Sequence, residues 1–400
     1  MSGIITEWLN LLLRWFHIVV GIGWIGTSFF FIWLDAHLVP KRAAAPGSVG
    51  EIWLFHSGGF YEVEKKLKVP EQVLPQLHWF KWEAYLTWIS GVLLLAVVYY
   101  LGGGAFLVDP GVAPIGVGAA IAIGIGTLVV GWLIYDALWR SPLGHHTLPA
   151  AAISFLLLTG IAFGLSHLLS GRAAYMHVGA LLGTLMAGNV WRIIQPAQRA
   201  MYRVNLAGGM PDVTLSKLAK QRSTHNNYMT LPVIFVMISN HFPSTYGNAY
   251  NWAVLLVLFL IGGGVRHYLN THDRSDGAAR WVLAASALAC IGLIAFTALP
   301  LRQRAGAAIS GAEAVSFADI RPIIDRRCIG CHSVRPTDDL VTEAPNGVVF
   351  DTPAQIKTFV EKIEARVVAT DTMPLGNKTG MTPEERDVIG RWIAEGAPLE

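Results

Sequence analysis

Eight apolar stretches, each near the length needed to cross a lipid bilayer, dominate the first three hundred residues of this chain. They lie at about 8–34, 79–101, 113–138, 148–168, 174–194, 228–242, 251–270 and 280–299. A hydrocarbon layer of about 30 Å asks for about 20 apolar residues per helical crossing, and a backbone without water must satisfy its own N–H and C=O groups. The sixth stretch is the shortest and holds Pro232 near its start. Proline is tolerated in a first helical turn, so that stretch is kept as a span. Charge density agrees: 14% of the 400 residues are Asp, Glu, Lys or Arg, against about 25% in soluble domains. The expectation is an all-α protein whose residues 1–300 form a polytopic eight-helix transmembrane bundle.

Loop charge gives the polarity of that bundle, because lysine and arginine stay on the cytoplasmic side. The loop after the first span holds Lys41, Arg42, Lys65, Lys66 and Lys68, and the loop after the fifth holds Arg199, Arg203, Lys217, Lys220 and Arg222. The connections at 102–112 and 243–250 carry neither residue, and that at 169–173 carries only Arg172. Eight crossings with this polarity put both termini outside, which is the periplasm if the bilayer is a bacterial inner membrane. The net charge of +3 is then a product of topology and no sign of nucleic-acid binding. The first apolar run is too long for a cleavable signal peptide.

A different chemistry begins near residue 317. Cys328-Ile329-Gly330-Cys331-His332 has the Cys-x-x-Cys-His spacing of a c-type haem attachment site. The two thiols add to the haem vinyl groups and the next imidazole becomes an axial iron ligand. A zinc site or a redox dithiol would need no histidine at that position. Residues 317–327 read as a helix delivering the first cysteine, with Ile320, Ile323 and Ile324 on one face. Thr382-Pro383-Glu384-Glu385 supplies an N-cap, a proline at the first helical position and a capping-box glutamate for a last helix carrying Val388, Ile389, Trp392 and Ile393.

Two terminal helices across one haem predict a class I-like cytochrome c domain at 317–400, exported to the periplasm. The sixth iron ligand is expected on the loop between them, where a methionine thioether favours electron transfer. Met373, in Met373-Pro374-Leu375-Gly376-Asn377, is the candidate; Met381 precedes an N-cap, where an apolar residue packs locally. The alanine- and glycine-rich residues 301–316 read as a linker. Cys290, the third cysteine, reads as a packed thiol.

Histidines at membrane depth are functional candidates. His17, followed by Gly21 and Gly23, and His177, followed by Gly179 and Gly183, both lie towards the outer face. They suggest a parallel duplication of four helices, and as a pair they could ligate a haem b; the competing reading is ordinary helix packing through small residues. A cytoplasmic set, including His37, His78, His145, His146 and His225, suggests a polar substrate mouth.

Trp24-Ile25-Gly26 with Phe29 to Asp35, His225-Asn226-Asn227-Tyr228-Met229-Thr230-Leu231-Pro232 leading to Ser239-Asn240-His241, and the Cys328 to His332 motif with Met373 to Asn377 together resemble the bacterial membrane-bound, cytochrome c-fused urate oxidases, also called urate hydroxylases or urate dehydrogenases. The resemblance spans essentially the whole chain. It implies oxidation of urate to 5-hydroxyisourate, with electrons leaving through the cytochrome to a soluble or membrane cytochrome c and a terminal oxidase, without direct formation of hydrogen peroxide. Composition and spacing alone stop at a membrane dehydrogenase with a cytochrome outlet.

One haem c takes one electron at a time, and about 30 Å of hydrocarbon is too far for one hop. That gives a reason to expect one or two haems b in the bundle. A urate site needs donors for carbonyls and an anionic ring, and a base to activate water. Asn189, Arg192 and Gln195 near the inner end of the fifth span, with Asn226 and Asn227, are the candidate contacts; His225 and His78 are the candidate bases. The competing readings are a haem-binding electron-transfer anchor serving another subunit, and a transporter with a fused cytochrome.

Overall fold

A computed structural model describes the chain except residues 1–2, 41–46, 102–103, 273–278, 310–313, 340, 342 and 400, and except the side chains of residues 3, 6 and 299–309. The order of elements is α1 Gly3–His37, β1 Ser48–His56, β2 Gly59–Lys66, α2 Trp82–Leu95, α3 Val117–Arg140, α4 Thr147–Ser166, α5 Gly171–Asn189, α6 Gln195–Leu206, α7 Val213–Ser239, α8 Pro243–Tyr246, α9 Asn251–Thr271 and α10 Arg280–Ile309. A second group follows: α11 Phe317–Arg327, α12 Pro353–Thr358, α13 Val360–Ile363 and α14 Pro383–Ala394. Helices α2 and α5 each continue into a wide turn, Ala96–Tyr100 and Val190–Ile194.

Six of these helices are long and apolar enough to cross a membrane: Glu7–His37, Trp82–Tyr100, Val117–Arg140, Thr147–Ser166, Asn251–Thr271 and Arg280–Ala298. They carry a coat of exposed large apolar side chains, among them Trp8, Ile22, Leu133, Leu156, Leu288 and Ile291. Helices α5 and α7 occupy the positions of the expected fifth and sixth spans but are less apolar, and the reason is their placement. Helix α5 packs against α2, α3, α4 and α7, and His177, Val178, Leu181, Leu182 and Asn189 along it are all buried. A helix surrounded by other helices meets protein on every side, so it can hold polar groups that hydrocarbon would reject.

Three features differ from the sequence reading. Helix α7 starts at Val213, fifteen residues before the expected sixth span, so Pro232 lies in its interior. Its ring packs where α9 has Gly262, a position at which any Cβ would press on Pro232 Cδ. Asp212 caps the true start, its carboxylate accepting from Thr214 N at 2.8 Å. The second difference is an antiparallel hairpin of β1 and β2 in the loop after α1, where an all-α fold was expected. Its turn, Ser57-Gly58, has positive φ at both residues (51° and 78°), the conformation that joins twisted strands with two residues. Lys65 ties the hairpin to Asp35 at the end of α1 at 2.6 Å. Third, α10 runs to Ile309, into the stretch expected as a linker; residues 310–313 of that stretch lie outside the described residues.

The C-terminal elements have their own core, in which Ile320, Ile324, Ile356, Ile389 and Trp392 are nearly inaccessible. All three of its principal helices start on reciprocal caps: Ser316 with Asp319, Thr352 with Gln355, and Thr382 with Glu385. Each cap satisfies two of the orphan donors at a helix start. Helix α11 and the cap of α14 fall where the sequence placed them.

Candidate functional site

The bundle holds a buried polar centre built from α3, α5 and α7. Asn189, at the end of α5, donates through Nδ2 to Tyr135 Oη at 3.0 Å and to Asn226 Oδ1 at 2.9 Å. Tyr135 Oη also meets His225 Nδ1 at 2.8 Å, and can donate to it or accept from it, so the pair accommodates either tautomer. Asn226 Nδ2 donates to the carbonyl of Met186 at 3.0 Å. Arg222, fully buried, reaches Asn189 Oδ1 at 3.5 Å and Asp136 Oδ1 at 3.4 Å and lies over the Tyr135 ring. Asp136 is shared with Arg140 at 2.8 Å, so two guanidinium groups face one carboxylate. The Trp139 ring stands 4.0 Å from that of His225. Helical spacing explains the convergence, since residues 222, 225 and 226 are three and four apart and share one face of α7.

Two polar atoms of this centre, Arg222 Nε and His225 Nε2, are buried without a hydrogen-bond partner. Buried polar groups are normally paired, and an unpaired one calls for an explanation. A group that accepts from Arg222 Nε and one that bears a proton for His225 Nε2 would satisfy the two atoms, which is what the arrangement can bind.

The sequence candidates separate in space. Asn189, His225 and Asn226 meet in this centre. Asn227 points the other way around α7, towards α9, where its Oδ1 accepts from Arg266 Nε at 2.8 Å and from Asn270 Nδ2 at 2.9 Å. Gln195 is buried but donates within its own helix, to Gln198 at 2.9 Å. Arg192 and His78 are exposed, His78 resting edge-on against Phe80. Sequence reasoning missed Tyr135 and Asp136 altogether and took Arg222 for a loop charge. The signal for Arg222 was present, because a helix continuous from the Asp212 cap places it one turn before His225 and Asn226.

Towards the start of α5, His177 Nδ1 donates to the carbonyl of Ala173 at 2.8 Å and Nε2 meets Tyr100 Oη at 2.9 Å. Both ring nitrogens are therefore engaged, and the ring sits over Gly124, where a Cβ would collide with it. His17 is held on α2 instead, by Ser90 Oγ at 2.9 Å and the carbonyl of Thr87 at 3.1 Å. Of the glycines after each histidine, Gly21 and Gly23 face Thr87 and Glu83 and Gly179 faces Val236, while Gly183 has open space beside it. His177 thus offers no free nitrogen, and the residues as arranged do not fit a haem b between it and His17.

In the C-terminal domain, His332 Nδ1 donates to the carbonyl of Val348 at 3.0 Å, which fixes the ring and leaves Nε2 for a metal. Burial pushes the Cys328 thiol up to about 12. Burial and the neighbouring Asp338 raise Cys331 as well. Redox dithiols show the opposite shift. No three His, Cys, Asp or Glu side chains gather into a metal cluster among the described residues, so the four-ligand set of a structural zinc site is lacking too. Cys328, Cys331 and His332 retain the donor set that a covalent haem requires.

The backbone carbonyl of Met373 accepts from Arg386 Nη1 at 2.7 Å, and its N–H donates to Arg366 O at 2.9 Å. Met381 is buried in the domain core. The Met373 loop abuts the helical part: Gly376 lies against the carbonyls of Ala105 and Val108, and Gly247 against Thr370 and Thr372.

Residues 3–298 match the family model described as urate oxidase N-terminal. The chain belongs to the urate oxidase N-terminal family. That family points to urate-related oxidation, and its match covers every residue of the Arg222 and His225 centre while ending before the Cys328 motif. No curated protein and no solved structure matches the chain.

Proposed function

We propose that the chain is a membrane-embedded urate dehydrogenase that converts urate to 5-hydroxyisourate at the Arg222 and His225 centre and sends the electrons out through a fused cytochrome c. The observation that carries this reading is the pair of buried, unpartnered atoms, Arg222 Nε and His225 Nε2, inside a family assignment to urate oxidases.

The chemistry balances without oxygen as a reactant. Urate and one water give 5-hydroxyisourate, two protons and two electrons. Arg222 supplies the positive charge for the urate anion, and a guanidinium presents its donors in a fixed fork suited to planar acceptors. The amides of Asn189 and Asn226 sit beside it for the ring carbonyls. His225 takes at Nε2 a proton from the water that adds at C5, and Tyr135 Oη, accepting from its Nδ1–H, holds the ring in the tautomer that leaves Nε2 as the base. Asp136 offsets part of the charge of Arg222.

Haem c, when bound at Cys328, Cys331 and His332 with Met373 as the sixth ligand, supplies a one-electron acceptor. The helical part provides aromatic stepping stones towards it. Tyr135 adjoins Trp132; eleven residues along α3, about 16 Å at 1.5 Å per residue, Gly124 faces His177 and Tyr100. Tyr99 then adjoins both His177 and Phe106, and Phe106 lies between Ala105 and Val108, whose carbonyls Gly376 faces. The apolar coat, the six membrane-length helices and the loop charges support an inner-membrane location with both termini and the haem domain in the periplasm, and transfer to a cytochrome c and terminal oxidase.

The test is an anaerobic difference spectrum of the oxidised, purified chain before and after urate. Reduction of the c-type band, with no b-type band, is the expected result. A haem c that dithionite reduces and urate does not would overturn the assignment in favour of an electron-transfer anchor.

A further inference from the structure

The C-terminal domain meets the helical part through the loop that carries Met373, and both sides of that contact are held by their own bonds. On the helical side two loops make it, 104–108 and 243–247, and the start of α5 anchors each. Ser170, the cap of α5, donates from its hydroxyl to the carbonyl of Phe106 at 2.6 Å and from its N–H to that of Leu107 at 3.1 Å. The buried Tyr175 places its hydroxyl 2.7 Å from the carbonyl of Asn251 and 3.2 Å from that of Thr245, and Asn251 Nδ2 donates to the carbonyl of Tyr246 at 2.9 Å. On the cytochrome side Thr370, 5% exposed, donates to the carbonyl of Ala365 at 2.8 Å, and its hydroxyl meets that of Thr372 at 3.0 Å. The two surfaces fit without slack. A Cβ at Gly247 would stand 2.7 Å from Thr370 Cβ and from Thr372 Cγ2, and one at Gly376 would stand 3.2 Å from the carbonyl oxygen of Val108. Gly247 has an ordinary negative φ of −87°, so its backbone does not ask for glycine; the approach of the two threonines does.

We infer that these two loops form a permanent seat for the Met373 loop, with Gly247 and Gly376 as its positioning residues, so that the cytochrome domain stays docked at the start of α5 instead of swinging on its connection. Domains of one chain move relative to each other by default. Here neither surface has to be ordered for docking, which removes much of the entropic cost of holding them together. Helix α5 is the shared element, because it carries Asn189 of the buried centre at its far end, about 21 Å beyond Tyr175 at 1.5 Å per residue. One rigid helix therefore sets the spacing between the Arg222 and His225 centre and the seat, and the electron path keeps a constant length. That use of the seat rests on the function proposed above; the docking itself does not.

The experiment is a pulsed-EPR distance measurement on the full-length, haem-loaded chain in lipid nanodiscs, with gadolinium labels on V129C of α3 and V334C of the C-terminal domain in a C290S background. Val129 and Val334 are both exposed. One narrow distance distribution is expected in this parent. G247V, whose side chain strikes Thr370 and Thr372, is expected to lose the narrow distribution while its haem c spectrum stays unchanged. Dithionite should reduce haem c at equal rates in the two chains, whereas urate should reduce it more slowly in G247V. A broad distribution in the parent overturns the seat whatever the variant does, so the test stands even if G247V assembles poorly. A narrow distribution that G247V leaves unchanged also overturns it, because the packing of α10 against α14 would then be what holds the domain. A narrow distribution that G247V broadens, in a parent whose haem c urate cannot reduce, supports the seat and overturns the function proposed above.

Discussion

The helical part and the C-terminal domain solve the same problem, satisfying polar groups, at opposite ranges along the chain. In the C-terminal domain the caps join residues three apart: Ser316 to Asp319, Thr352 to Gln355 and Thr382 to Glu385. In the helical part the decisive bonds join residues 90 apart (Tyr135 and His225), 37 apart (Asn189 and Asn226) and 39 apart (Arg266 and Asn227). Local pairs can be read from a sequence because the spacing is the mechanism. Distant pairs exist only once helices have packed, so their chemistry is invisible until then.

The sharpest way to break the comparison is to disable one part and watch the other. Replacing both Cys328 and Cys331 with serine removes the thiols needed for covalent attachment. The expected outcome is complete loss of haem staining on a denaturing gel, with urate binding by the helical part retained. Urate binding lost together with the haem would show that the two parts do not work as separable modules.

The next largest effects fall on the buried centre. R222Q leaves Asp136 and Asn189 without their buried partner, and breaking such a pair costs about 3–5 kcal/mol; a lower unfolding temperature and no detectable urate oxidation are expected. H225Q keeps a similar shape but removes the proton acceptor, whose contribution is typically about 10²–10⁴-fold in rate. Urate should still bind to H225Q, and the rate of haem reduction should fall within that range. An H225Q chain that oxidises urate at the parent rate would move the base elsewhere in the bundle.

How much was legible follows the same division. The Cys328 to His332 motif, the α11 helix and the Thr382 cap were each written in consecutive residues. The apolar stretches marked where the helices run, though α5 and α7 gave the faintest signals because they are packed among other helices and carry the polar residues. His225, Asn226 and Asn189 were found, but only as members of a wider inner-face set. Tyr135, Asp136 and Arg266 drew no reading from the sequence, because nothing in α3 or α9 alone reveals what lies opposite. The hairpin turn was a two-residue signal, Ser57-Gly58, overshadowed by the expectation of a purely helical bundle.

A smaller effect separates the two parts by pH. In the C-terminal domain burial alone would raise the Glu385 carboxyl, but its hydrogen bonds from Arg327 Nε at 2.9 Å and from the Thr382 N–H hold it below the usual carboxylate value. A depressed folded-state pKa contributes stability above the unfolded value of about 4.3, and that contribution is lost as pH falls through the folded value. E385Q should therefore lower the unfolding temperature of the C-terminal domain at pH 7, and the gap to the parent should close as the pH drops below 4. A gap that stayed constant with pH would mean Glu385 acts by shape and capping alone.

The smallest expected effect is the one that most directly tests geometry against residue type. Arg192 and His78 are the kinds of side chain a urate site uses, a guanidinium and an imidazole, and the sequence places both near the inner face. The structure leaves both exposed, away from the convergence of Arg222, Asn189 and His225. Exposed substitutions remote from such features usually stay within about 0.5 kcal/mol, a factor of about two. R192Q and H78Q should accordingly bind and oxidise urate within about twofold of the parent, measured by the same anaerobic haem reduction used for H225Q. A tenfold loss in either would place the substrate on the exposed inner rim, and the burial of Arg222 would then have to be explained as ion pairing within the bundle.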